Sequence, residues 1–119
     1  MKLYGIPNCS TVKKARLWLE SRGIDYQFHD FRKDGVDATL LRHWLDQIPW
    51  EQLVNRAGMT WRGLTDEEKA QVQGNDSAIA LMLAKPSVIK RPVLADGSRI
   101  IKLGFDAQAY ESLTGQPSP

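Results

Sequence analysis

Residues 2 to 31 carry the pattern that most restricts the fold: an apolar strand, a turn, a helix and a second strand. Lys2 to Ile6 reads as a short buried strand. Thr11 to Arg22 reads as a helix, with Val12, Ala15, Leu17, Trp18 and Leu19 as its apolar positions and Gly23 as its stop. Tyr26 to Phe31 alternates aromatic and polar residues imperfectly, as a returning strand would. Two strands joined by a helical crossover run parallel in one sheet, so the chain begins as a βαβ unit.

The middle of the chain reads as helical. Asp37 to Ile48 places Leu40, Leu41, Trp44, Leu45 and Ile48 at helical spacing, and Pro49 ends it. Trp50 to Asn55 reads as a short helical turn, and Thr65-Asp66-Glu67-Glu68 as a capping segment that opens a helix. Asp76 to Ala84 is a further helix, stopped near Pro86. Its run Ala78 to Ala84 predicts a buried helix and falls far short of the ~20 residues that cross a bilayer. Val93 to Ala95 and Arg99 to Leu103 flank Asp96-Gly97-Ser98, which predicts a hairpin, and Asp106 caps a last helix through Leu113. The order predicts an α/β fold: one domain over 1–114 with a helical insertion at about 36–86, followed by a flexible tail at 115–119.

A chain of 119 residues can bury one core without staples. Its single cysteine excludes an internal disulfide framework and a multi-cysteine zinc site, and no leader-like segment opens it, so a cytoplasmic protein without membrane contact is expected. The formal net charge is +2 with both signs interspersed, so no nucleic-acid partner is expected. Lys13, Lys14 and Arg16 form the nearest thing to a basic cluster, and on its own such a cluster reads as a solvated helix face.

That cluster gains interest from Cys9, which lies between Asn8 and Ser10 at the end of the first strand. A helix opening at Ser10-Thr11 aims its unpaired N–H groups and positive dipole end at this turn. With Lys13 one turn on, the thiol is expected to ionise well below its free value; comparable sites reach ~3.5 to 7.5. A buried core cysteine is the competing reading, but core cysteines sit within apolar runs, and Cys9 has polar neighbours.

Lys90-Arg91-Pro92 precedes the strand Val93-Leu94, where a proline at the strand entry is compatible with the sheet. A cis Arg91-Pro92 bond would present Arg91 to the thiol; an ordinary surface arginine is the other reading. Lys102 interrupts the apolar run Ile100-Ile101-Lys102-Leu103, and either faces solvent or joins Lys13 and Arg91 around Cys9 as an anion pocket. His29 and His43 lack metal-ligand or triad spacing, so no metal is expected. The four tryptophans read as packing residues, with Trp61 the one placed to line a surface groove.

The segment Tyr4-Gly5-Ile6-Pro7-Asn8-Cys9-Ser10-Thr11-Val12-Lys13-Lys14-Ala15, with Arg91-Pro92-Val93, resembles the arsenate reductase (ArsC) family of the thioredoxin-like fold, in particular its small YffB branch. The resemblance spans nearly the whole chain. It implies a thioredoxin-like (glutaredoxin-like) fold with a mixed four-stranded sheet, a nucleophilic Cys9 and a cis-proline at Pro92. In the glutaredoxin-coupled reductases three arginines hold the arsenate. One of them matches Arg91, while the other positions fall on Asn55, one residue before Arg56, and on Lys102. Lys13 replaces the arginine four residues after the cysteine. These departures weigh against arsenate reduction. The related Spx regulators, which bind RNA polymerase, often carry a Cys-x-x-Cys switch whose second position here is Val12, so no internal disulfide switch is available.

The resulting expectation is a monothiol enzyme in which Cys9 attacks a disulfide or other small oxidised thiol substrate. No cofactor is bound; glutathione is the co-substrate that resolves the mixed disulfide, with glutaredoxin as a further partner. Ser10, Thr11 and Lys13 are expected to stabilise the thiolate, and Arg91, Lys102 and Asn55 to bind substrate. Arg91 and Lys102 are expected to alter glutathione affinity more than Cys9 ionisation. Arsenate reduction and a noncatalytic, Spx-like binding role are the alternatives.

Overall fold

The computed structural model describes residues 1–115, which divide into two compact units: Met1–Asp34 together with the chain from Arg91 onward, and Gly35–Lys90. The first unit holds β1 (Lys2–Gly5), α1 (Ser10–Ser21), β2 (Gln27–Asp30), β3 (Val93–Asp96), β4 (Arg99–Leu103) and, at its end, the helix Ala107–Thr114. The strand order is β2-β1-β3-β4, with β1 parallel to β2 and antiparallel to β3, and β3 antiparallel to β4. The sheet is therefore mixed, and its parallel pair comes from the βαβ unit that the sequence predicts.

The register positions everything that follows. Tyr4 lies opposite Val93 and Leu3 opposite Leu94, so the chain leaving β1 and the chain entering β3 meet at the same end of the sheet. Asp96 pairs with Arg99 across Gly97-Ser98. Gly97 takes φ +61° and Ser98 does not turn positive, the sign pattern of a type II′ hairpin turn. A bulge falls between Leu94 and Ala95, after which Lys102 pairs with Leu94.

One face of the sheet buries Leu3 and Leu94 against Ala15, Trp18 and Leu19 of α1 and Tyr110 of the C-terminal helix. Each fully buried Leu stabilises by roughly 1.5–3 kcal/mol. The Tyr110 ring stands edge-on to Trp18 at 5.4 Å and to Phe105 at 4.8 Å, contacts worth about 0.5–1.5 kcal/mol each beyond their area. This aromatic set fixes the last helix to α1. Asp106 caps that helix by accepting from the Gln108 N–H at 3.0 Å, and Gly115 ends it in the left-handed region at φ 74°. Gly115 thus belongs to the helix end rather than to a tail; the remainder of the expected tail, 116–119, lies outside the described residues.

The second unit holds α2 (Ala38–Leu45), α3 (Trp50–Leu53), α4 (Met59–Arg62), α5 (Asp66–Ala70) and α6 (Asn75–Ala84), then a 3-10 turn at Pro86–Val88; the C-terminal helix of the first unit is α7. Asp37 caps α2 by accepting from the Thr39 N–H at 2.9 Å. Thr65 and Glu68 form a reciprocal capping box at α5. α2 packs on α6, and Val54 bridges Ile89 in an isolated antiparallel pair. The run Ala78 to Ala84 is buried on one side only: Ala78, Ile79 and Met82 are covered, whereas Leu83 is 42% exposed and Ala80 and Ala84 face outward. An uninterrupted apolar stretch hides which side faces the core, which is why it reads as wholly buried. No helix among the described residues is long and apolar enough to cross a membrane.

Candidate active site

Cys9 is the N-cap of α1, with extended backbone at φ −97° and ψ 127°. Its N–H donates to the Ile6 carbonyl at 3.3 Å and its carbonyl accepts from the Lys13 N–H at 3.0 Å, so the turn Ile6–Cys9 and the first turn of α1 are one hydrogen-bonded unit. Pro7 and Asn8 are exposed and Cys9 is half-buried, which leaves the free thiol open to solvent on one side.

Partial burial pushes the thiol pKa up, and three groups more than reverse it. They are the backbone N–H groups of Val12 and Thr11, then the Arg91 guanidinium, which acts by charge and by a side-chain hydrogen bond; the net effect holds Cys9 below its ordinary value. The neutral thiol makes no full capping hydrogen bond. The two N–H groups favour it mainly once it is charged, since hydrogen bonds to an ionised acceptor are shorter and stronger.

Arg91 arrives through the sheet register. Because Tyr4 faces Val93, the two residues before β3 stand beside the turn that carries Cys9. The Arg91-Pro92 bond is cis, as the resemblance implies, and Pro92 is buried, with its carbonyl accepting from the Gly104 N–H at 2.9 Å. Arg91 therefore acts on Cys9 ionisation directly, a role the sequence reading subordinated to co-substrate binding.

The other expected residues distribute differently. Ser10 and Lys13 have exposed side chains, and Lys13 is tied to Cys9 through its backbone; the thiolate donors are Thr11 and Val12. Val12 was missed because its side chain is apolar and its contribution comes from the main chain. Lys102 is half-buried at the same end of the sheet, but β3 separates its strand from β1, a lateral distance of roughly 10 Å at ordinary strand spacing. Asn55 belongs to the second unit. There its N–H donates to the Val88 carbonyl at 2.8 Å and its side chain covers Gly58, where an added Cβ would meet Nδ2 at 2.8 Å.

The His29 ring lies against that of Tyr4, tilted, with centroids 4.9 Å apart, and His43 is exposed on α2. Trp61 lies on α4 with its ring 6.5 Å from Trp50. Among the described residues no three His, Cys, Asp or Glu side chains group as metal ligands.

A four-stranded mixed sheet with a polarised cysteine at the N-terminus of its first helix, faced by an arginine and a buried cis-proline, defines a thiol protein of the thioredoxin-like fold. The sequence model of the ArsC family matches residues 4–113, and the chain belongs to that family. A solved structure named YffB protein is 46% identical, covers 94% of this chain and 96% of its own, and superposes with a TM-score of 0.87. An uncharacterised protein of Haemophilus influenzae is 39% identical over 111 residues, which is 92% of this chain and 95% of that protein. A more distant relative, the global transcriptional regulator Spx 1 of Lactococcus lactis, is 24% identical over 107 residues, 87% of this chain and 80% of the regulator.

Proposed function

We propose that the protein is a cytoplasmic, glutathione-dependent thiol-disulfide oxidoreductase that works through Cys9 alone. The observation that carries this reading is the convergence of the Thr11 and Val12 N–H groups and Arg91 on a half-buried, solvent-accessible thiol. A thiolate held in this way attacks the sulfur of a glutathione mixed disulfide. The original S–S bond breaks, the substrate thiolate leaves and takes up a proton, and Cys9 carries glutathione in a new disulfide. With one cysteine in the chain, an external thiol must resolve it. A second glutathione thiolate attacks the glutathionyl sulfur, the Cys9 thiolate departs, and oxidised glutathione carries away the pair of sulfurs whose two electrons reduced the substrate. Arg91 and, at the outer edge of the same sheet end, Lys102 suit the two carboxylates of glutathione.

Arsenate reduction ranks below this because, of the three positions that hold arsenate in the family, only that of Arg91 keeps a guanidinium fork, and lysine or asparagine does not reproduce its bidentate geometry. A noncatalytic binding role is the second reading, favoured by the similarity to Spx 1.

The test is intact mass after brief exposure to oxidised glutathione at several pH values, with Cys9→Ser as control. Rapid addition of one glutathione that persists below neutral pH, and is lost in the Cys9→Ser protein, is the expected result. Slow reaction that rises only near an ordinary thiol pKa would overturn the enzymatic reading in favour of the binding role.

A further inference from the structure

We infer that Gly5 is a positioning residue for Cys9: its missing side chain lets the first turn of α1 settle onto β1 and so sets where the N–H groups of that turn lie relative to Cys9, its N-cap. This rests on the reading of Cys9 as an activated thiol and adds a residue that has no side chain of its own to bring to the chemistry.

Gly5 is the last residue of β1 and is buried. A Cβ built there would lie 2.7 Å from Val12 Cγ2, 3.3 Å from Cγ1 and 3.7 Å from Cβ. All three contacts belong to one β-branched side chain. Turning Val12 about χ1 is a costly escape, because a helical valine holds one rotamer strongly. Val12 is itself fully buried, in an interior that packs closely.

The strand cannot yield either. Gly5 pairs with Asp30 in the parallel register and its carbonyl accepts from the Phe31 N–H at 2.9 Å, which pins it from the β2 side. Any side chain at position 5 must therefore lift the start of α1. That turn carries the Val12 N–H, and a hydrogen bond to sulfur weakens quickly with distance and angle. The conformation of Gly5 is not the reason for glycine here, since its φ is negative; close approach of helix to strand is.

The experiment measures the midpoint of Cys9 alkylation by iodoacetamide against pH, read by intact mass, for the wild type, Gly5→Ala and Gly5→Ala/Val12→Ala, each first checked for folding by thermal melting. The expected result is a low midpoint for the wild type, a rise of about one pH unit in Gly5→Ala, and recovery in the double variant, where the two crowding methyls are gone. One unit corresponds to about a tenfold slower alkylation at a pH below both midpoints. A folded Gly5→Ala with the wild-type midpoint overturns the inference and leaves the activated thiol standing, and so does a raised midpoint that the second substitution does not reverse. A wild-type midpoint at the ordinary thiol value overturns both. If Gly5→Ala alone does not fold, the double variant decides: a folded protein with the wild-type midpoint supports the inference, and a raised midpoint or no folded protein overturns it.

Discussion

Arg91→Gln isolates the side-chain share of Cys9 activation, because it removes the positive charge and the guanidinium donor while retaining a polar side chain. A hydrogen bond to a charged group contributes about 1.5–3 kcal/mol, which would be about 1–2 pH units of thiol pKa. Cys9 is only half-buried, so solvent and salt screen the interaction, and roughly half of that range is the reasonable expectation. The Val12 and Thr11 N–H groups each outweigh either the charge or the hydrogen bond of Arg91 taken singly, and they remain in the variant. The alkylation midpoint should therefore rise by about 0.5–1 unit and stay below that of free cysteine. An unchanged midpoint would remove Arg91 from the thiol, and a rise to the free-cysteine value would remove the backbone donors instead. Stability provides a second readout. Folding lowers the thiol pKa, so between the folded and unfolded values the unfolded chain binds more protons. The stabilisation is complete above the unfolded pKa and is lost as pH falls through the folded one. Over that window the urea midpoint of the wild type should drop more than that of Arg91→Gln, and equal slopes would contradict the assignment.

Two further outcomes test the surroundings of the site. Lys102→Ala should weaken glutathione use, seen as a raised KM in a disulfide-exchange assay, while leaving the alkylation midpoint of Cys9 where it is; a shifted midpoint would mean that Lys102 reaches the thiol. Thr65→Ala breaks the α5 capping box and should cost about 1 kcal/mol in urea unfolding, with unchanged values indicating that the short helix forms without its cap.

The sequence made the strand-turn-helix at residues 2–22 legible because polar Asn8 and Ser10 interrupt an apolar strand just where a helix can start. Thr65 and Asp106 marked helix starts through their side-chain oxygens, and Asp96-Gly97 marked the hairpin. α4 stayed hidden because it is a single turn without a side-chain cap, and the bulge between Leu94 and Ala95 leaves no compositional trace. At the site, Cys9 was readable from pattern, whereas pattern leaves the cis bond at Pro92 open and only the resemblance suggests it. The direct action of Arg91 on the thiol was not readable, since it depends on Tyr4 lying opposite Val93, a pairing across some ninety residues of chain that local spacing does not encode. Lys13 is the converse case: helical spacing put it one turn from Cys9, where its side chain is exposed and its amide donates to the Cys9 carbonyl.

The thiolate donors at Thr11 and Val12 belong to the main chain, and this separates reactivity from the identity of the amino acids around it. An amide proton keeps its polarity at every pH and in every residue except proline, so position 11 can change its side chain without altering what the sulfur feels, while position 12 need only supply a side chain that fits against Gly5. The outer rim is then at liberty to drift toward a new reaction partner while the reactive centre is inherited intact. In a protein built this way a change of substrate does not require reinventing the nucleophile.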